Sequence, residues 1–181
     1  DLSNWQGAVD NYEIVDGAIQ CKPGKGGNLL TTEEFADFVV QLEFKVPPAG
    51  NNGLAIRAPL NGDTAYLGMT ELQVLDDNYE KLKGPLDPRQ RHGSAYGMLA
   101  AHPGFQHPAG EWNFQQVTVK GSRITVELNG FTILDGDLAE IDPSTFLENK
   151  AHPGLSRTSG FFGFAGHSDP VAFRNVRIKR L

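Results

Sequence analysis

The chain has 181 residues, enough for one domain with a substantial core, and its 21 glycines and 11 prolines favour an all-β fold with many turns. A formal net charge of −6 argues against a nucleic-acid backbone as partner, because neutralising phosphates takes a basic patch. The one cysteine, Cys21, excludes an internal disulfide, and no apolar run approaches the roughly 18 residues of a membrane span.

In chain order, residues 12–15, the pair Asp16-Gly17 and residues 18–21 predict a hairpin with its turn in place. Residues 22–28 are glycine-rich but lack the Lys-Ser/Thr ending and following helix of a phosphate loop, so they read as a turn. A short strand at 29–32 precedes the clearest one, 38–46. There Phe38, Val40, Leu42, Phe44 and Val46 face one way and Gln41, Glu43 and Lys45 the other, until Pro47-Pro48 stops the strand. Strand 53–57 turns Leu54 and Ile56 inward, with Gly53, Ala55 and Arg57 on the other face. A turn-rich connection at 60–64 leads to 68–77, where Leu72 and Val74 alternate with Glu71 and Gln73.

Residues 78–93 form a long mixed-charge loop with Pro85 and Pro88, a length often functional in a compact domain. Residues 94–99 read as another strand and 101–110 as another loop. Residues 112–120, a Gly121-Ser122 turn and 123–128 form a second hairpin, and Asn129-Gly130 turns the chain into 131–134. One helical turn fits within 137–146, limited by Pro143. The last strands are 160–167 and 171–181; apolar parity slips between Phe173 and Val176, which predicts a bulge near Arg174 and Asn175. The expectation is a single domain over 1–181, a sandwich of two sheets with roughly a dozen strands.

Three strands repeat one arrangement. Leu54/Ile56, Leu72/Val74 and Phe162/Phe164 face the core, while Gly53/Ala55/Arg57, Glu71/Gln73 and Gly163/Ala165/His167 stand opposite. Small residues beside a few long polar ones make a floor with room above it, as a polar ligand site on a concave sheet requires. Relief of crowding where a sheet curves would also place Gly and Ala there. Of the five histidines, His167 closes the polar row, while His92 and His152 lie in loops beside Gly93 and Pro153 as rim residues. No His-Glu-x-x-His, EF-hand loop or Gly-x-Ser-x-Gly is present. No cofactor is called for. A divalent metal stays open, with ligands drawn from Glu71, Asp76, His92, His152 and His167.

Several stretches carry a resemblance: Asp37-Phe38, residues 50–57, 71–77, 92–97, 108–113 and 128–130, then 152–155 through 157–160, and 163–167 into 173–178. On these, in order along nearly the whole chain, the sequence resembles the 3-keto-disaccharide hydrolase domain family common in gut Bacteroidetes. It departs at Phe161, where similar sequences tend to carry His, which removes one polar group near the site. The resemblance implies a concanavalin A-like jelly-roll sandwich of two antiparallel sheets and a carbohydrate ligand. It also implies an exported location, periplasmic or as a surface lipoprotein; the chain begins abruptly at Asp1, as a processed one would, with no signal peptide.

The reaction implied is cleavage of a glycoside already oxidised at carbon 3. A ketone there acidifies the carbon 2 proton, a base removes it, the group on carbon 1 leaves, and water completes a net hydrolysis. Such chemistry needs a base (His167 or Glu71), a stabiliser of the enolate oxygen (Arg57 or a metal) and hydroxyl contacts (Gln73, Asp76, Tyr96), with His92, His152 and Arg157 on the rim. Two alternatives are a two-carboxylate glycosidase using Glu71 and Asp76, and a module that only binds carbohydrate. The five-residue spacing of the first pair puts its members on opposite faces. The second would present exposed aromatic platforms, yet Trp5 and Trp112 are the only tryptophans.

Overall fold

A computed structural model describes all 181 residues. Twelve strands form two antiparallel sheets: β1 (Trp5–Gly7), β2 (Tyr12–Val15), β3 (Ala18–Cys21), β4 (Gly26–Phe35), β5 (Phe38–Lys45), β6 (Asn51–Ala58), β7 (Thr70–Leu75), β8 (Asn113–Lys120), β9 (Arg123–Leu128), β10 (Phe131–Asp137), β11 (Gly160–His167) and β12 (Ala172–Arg180). The five-stranded sheet has the order β1-β4-β11-β6-β7, and the seven-stranded sheet β10-β9-β8-β5-β12-β3-β2. The result is the expected jelly-roll sandwich. Only two short helices interrupt it, α1 (Thr64–Leu67) and α2 (Tyr79–Lys83), besides single 3-10 turns.

Alternation in the sequence becomes the core. Phe38, Val40, Leu42 and Phe44 point inward from β5 and meet Leu54 and Ile56 of β6, Leu72 and Val74 of β7, and Phe162 and Phe164 of β11, all essentially inaccessible. Phe164 stacks on Phe173 of the opposite sheet with ring centroids 3.8 Å apart, so the two sheets touch through flat aromatic faces. The first hairpin turns where expected, with both Asp16 (φ 50°) and Gly17 (φ 78°) left-handed, the conformation that a tight hairpin turn between twisted strands demands. The bulge in β12 is also found: its pairing with β5 slips between Arg174 and Arg177, around Asn175 at φ 53°.

Three expectations change. The strand read at 94–99 reduces to isolated bridges, Leu72–Ala95 and Ala95–Leu99, because Gly93 and Gly97 adopt φ of 76° and 72°, outside extended backbone. The loop at 78–93 contains α2 and a 3-10 turn at Pro88–Gln90 capped by Asp87. The short strand at 29–32 is the middle of the longer β4, which also pairs with the three-residue β1.

Candidate active site

The outer face of the five-stranded sheet carries the polar row. Ala55 of β6 stands opposite Glu71 of β7 and Gly163 of β11, and Gly53 stands opposite Gln73. Directly opposed residues in an antiparallel pair share a face, so the small residues lie beside the two long ones; the Glu71 side chain folds over Gly53, and Leu30 packs on Ala55 rather than leaving an open floor there. Beside the two long residues opens a cavity of about 210 Å³, room for one sugar ring, lined among others by Glu71, Gln73, Tyr96 and His167. These four are the sequence-predicted residues that the fold brings together.

Glu71 is buried, at 5 % exposure. Its Oε2 accepts a hydrogen bond from the Thr64 hydroxyl at 2.5 Å, and its Oε1 lies 3.8 Å from His167 Nε2. Thr64 opens α1, whose N-cap Asp63 accepts from the Ala65 N–H at 3.0 Å, so a capped helical turn fixes the carboxylate from one side. The 3.8 Å separation is an ion-pair contact, longer than a hydrogen bond. Glu71 raises the His167 pKa above the ordinary value; burial opposes this, and Asp63 and Asp169 add weaker attraction. The pair is therefore an imidazole biased toward its charged form by an anchored carboxylate.

Gly53 is required for that geometry. A Cβ there would sit 2.2 Å from Glu71 Oε1. Gly53→Ala is expected to push the carboxylate away from His167, and the imidazole pKa, followed by NMR titration, should fall back toward its ordinary value of about 6.5. An unchanged titration would mean that Glu71 does not set the charge of His167.

Beside the pair, Gln73 Nε2 donates to Asn51 Oδ1 at 2.7 Å, which leaves the Gln73 carbonyl and the Asn51 amino group unengaged. The opposite wall is aromatic. Tyr66 and Tyr96 meet edge to face at 6.4 Å, the Tyr96 hydroxyl accepts from Gln90 Nε2 at 3.0 Å, and the Lys150 ammonium lies 3.7 Å from the Tyr66 ring centroid. Tyr66, with Asp63 and Glu148 more weakly, holds Lys150 toward its charged form.

The other expected residues go elsewhere. Arg57 leaves the row because β6 bulges there. Between the pairs Phe161–Ala58 and Gly163–Ala55, β6 has one residue more than β11, and Arg57 itself sits at φ 48°. Its guanidinium turns to the end of the sandwich. Nε donates to Ala36 O at 2.7 Å, Nη1 to Gly121 O at 2.8 Å and Arg157 O at 3.1 Å, and Nη2 to Asp37 Oδ1 at 2.8 Å. Arg157 answers with Nε on Arg57 O at 2.8 Å. These two arginines line a larger cleft of about 860 Å³, together with Asp37 and His152, which are not within ion-pair distance of each other.

Asp76 is a turn residue, its oxygens accepting from Ala49 N at 2.8 Å and Asn78 N at 3.0 Å. His92 lies in the core between Gln115 Oε1, 2.9 Å from Nε2, and the Leu75 N–H, which donates to Nδ1 at 3.2 Å. Its ring stacks on Phe44, and burial pushes its pKa down to about 4. His152 stands behind the aromatic wall, with Nδ1 3.0 Å from Ala65 O and its ring 4.9 Å from that of Tyr66. Of the five residues named as metal ligands only Glu71 and His167 meet, and no group of three or more His, Cys, Asp or Glu is placed to hold an ion. Sequence reading missed Asn51, Asp63, Thr64, Tyr66 and Lys150. Only Asp63-Thr64 carried a local signal, that of a helix start.

Comparison with known proteins agrees with the whole chain rather than one patch. The 3-keto-alpha-glucoside-1,2-lyase-like domain family matches residues 1–179. The chain is 29 % identical to the 3-keto-disaccharide hydrolase of Bacteroides thetaiotaomicron, over 99 % of this chain and 75 % of that one. A protein of Parabacteroides distasonis ATCC 8503, provisionally described as a glycosyl hydrolase, superposes with a TM-score of 0.80 at 26 % identity, covering 98 % of this chain and 94 % of its own. The carbohydrate binding module CBM66 of Bacillus subtilis shares the fold at 13 % identity and a TM-score of 0.60, covering 97 % of this chain and 95 % of its own.

Proposed function

Because the chain belongs to the 3-keto-alpha-glucoside-1,2-lyase-like domain family, we propose that it cleaves 3-keto-glycosides by elimination across carbons 1 and 2, with hydration of the product completing a net hydrolysis. The observation that carries this reading is the Glu71–His167 pair on the wall of a polar cavity. His167 is the base. It takes the carbon 2 proton, the electron pair delocalises onto the carbon 3 oxygen, and Glu71 stabilises the imidazolium that forms. When the enolate collapses, the bond from carbon 1 to the leaving oxygen breaks, and the proton held by His167 goes to that oxygen. Gln73, Asn51 and Tyr96 face the ring hydroxyls.

A direct displacement at carbon 1 wants two carboxyl groups flanking the bond, about 5–5.5 Å or 6.5–9.5 Å apart. Asp76 is committed to backbone N–H groups in its turn and does not line the cavity, which argues against that route with Glu71 and Asp76. The same reading locates the chain outside the cytoplasm, in a periplasm or on a cell surface, as the family resemblance implies; fractionation of the native host tests this. No helix is long and apolar enough to cross a membrane.

The decisive experiment compares a 3-keto-glycoside with the same glycoside bearing an intact carbon 3 hydroxyl. In deuterated water the keto substrate should gain deuterium at carbon 2 and be cleaved, while the alcohol should be inert, since nothing in it delocalises a carbon 2 carbanion. Equal cleavage of both would reject elimination. Binding of both without cleavage would make the domain a carbohydrate-binding module.

A further inference from the structure

Elimination from a 3-keto sugar places negative charge on the carbon 3 oxygen, and that charge needs a partner. Arg57 cannot supply it, because its guanidinium is bound at the end of the sandwich. Of the residues lining the cavity, only His167 and Lys150 are basic, against the carboxylates of Asp63 and Glu71. His167 is occupied in moving the proton from carbon 2 to the oxygen on carbon 1. Lys150 remains, and its ammonium has no carboxylate partner; it rests instead on the face of Tyr66, 3.7 Å from the ring centroid.

We propose that Lys150 holds the enolate oxygen on carbon 3, a role that rests on the elimination reading. Its position is built in relation to the base. Tyr66 is backed by the His152 ring at 4.9 Å, and His152 packs edge-on against Phe146 at 5.0 Å. The segment after Lys150 is fastened to α1 by His152 Nδ1 at 3.0 Å from Ala65 O and by the Gly154 N–H donating to Tyr66 O at 2.9 Å. The same helical turn supplies Thr64, which fixes Glu71. One short element therefore sets the distance between the carboxylate behind the base and the cation on the far wall.

In the step proposed, the pair from the carbon 2–hydrogen bond becomes the double bond between carbons 2 and 3, with the charge on oxygen beside the ammonium. Lys150 keeps its proton, and its charge and hydrogen bond lower the barrier without any change in oxidation state.

The test uses para-nitrophenyl 3-keto-α-glucoside, whose easy leaving group makes proton abstraction the slow step. Lys150→Met should lower kcat about 10²–10³-fold, the usual loss when one oxyanion donor is removed, with KM within about threefold and the carbon 2 deuterium isotope effect on kcat retained. Lys150→Arg should recover most of the rate. Both variants should melt with the wild type, since Lys150 is exposed. A Lys150→Met enzyme within about threefold of the wild-type kcat, or a loss confined to KM, would overturn the assignment. A wild-type protein that neither exchanges nor cleaves the keto substrate would overturn the reading beneath it, and this role with it.

Discussion

Replacing His167 with alanine is expected to lower kcat for cleavage of a 3-keto-glycoside by about 10²–10⁴-fold, the usual worth of a positioned general base, and to stop carbon 2 exchange. Glu71→Gln is the sharper probe, because glutamine can still accept from Thr64 while carrying no charge. His167 works as a base only when deprotonated, so kcat/KM should rise with pH and level off above its apparent pKa. Glu71 favours the imidazolium and raises that pKa, with Asp63 and Asp169 helping weakly and the Lys150 ammonium in the same cavity. Removing the Glu71 charge should therefore move the rising limb to lower pH and also lower the plateau, since the imidazolium formed in the reaction loses its partner. A limb that stays in place would separate Glu71 from the titrating group. Full exchange in His167→Ala would make Glu71 the base.

Arg57→Ala should behave in the opposite way, costing stability before chemistry. Its side chain is buried and ties together three carbonyls from separate loops at the end of the sandwich. Losing these hydrogen bonds, together with the Asp37 pair, should cost about 3 kcal/mol, or roughly 10 °C in melting temperature for a chain of this size. Lysine should not rescue, because a single ammonium cannot reproduce a planar fork that reaches four acceptors. Thermal unfolding beside kcat measured well below the transition checks this. A variant that melts like the wild type yet loses activity would return Arg57 to the ligand site.

The contrast between Arg57 and His167 shows what the sequence could and could not convey. Both continue a row of alternating residues, and period two is legible wherever a strand is regular, as it is for β5, β7 and the middle of β11. The alternation of 53–57 looks equally regular, but the extra residue in β6 reverses the direction of Arg57, and nothing local announces it. His92 and Asp76 were misplaced for another reason. A buried polar side chain looks like a ligand-binding one until its partners are known, and those partners, Gln115 and the Ala49 N–H, are distant in sequence. Lys150 and Tyr66 come from segments without periodicity, so their meeting on one wall of the cavity is a product of tertiary packing alone.

The strand orders also fix when the protein can finish folding. The last two strands do not add to an edge: β11 inserts between β4 and β6 in one sheet, and β12 between β5 and β3 in the other. Until they are synthesised, each sheet has a gap in its middle, with two unpaired rims facing each other, and hairpins such as β8–β9 can close long before the sandwich does. Such late, long-range pairing makes for slow folding, and open rims invite pairing with other chains. A nascent or truncated chain ending before β11 should therefore aggregate rather than persist as a smaller domain. His167 arrives on the strand that closes the first gap, so a chain ending before β11 also lacks the base proposed for the reaction.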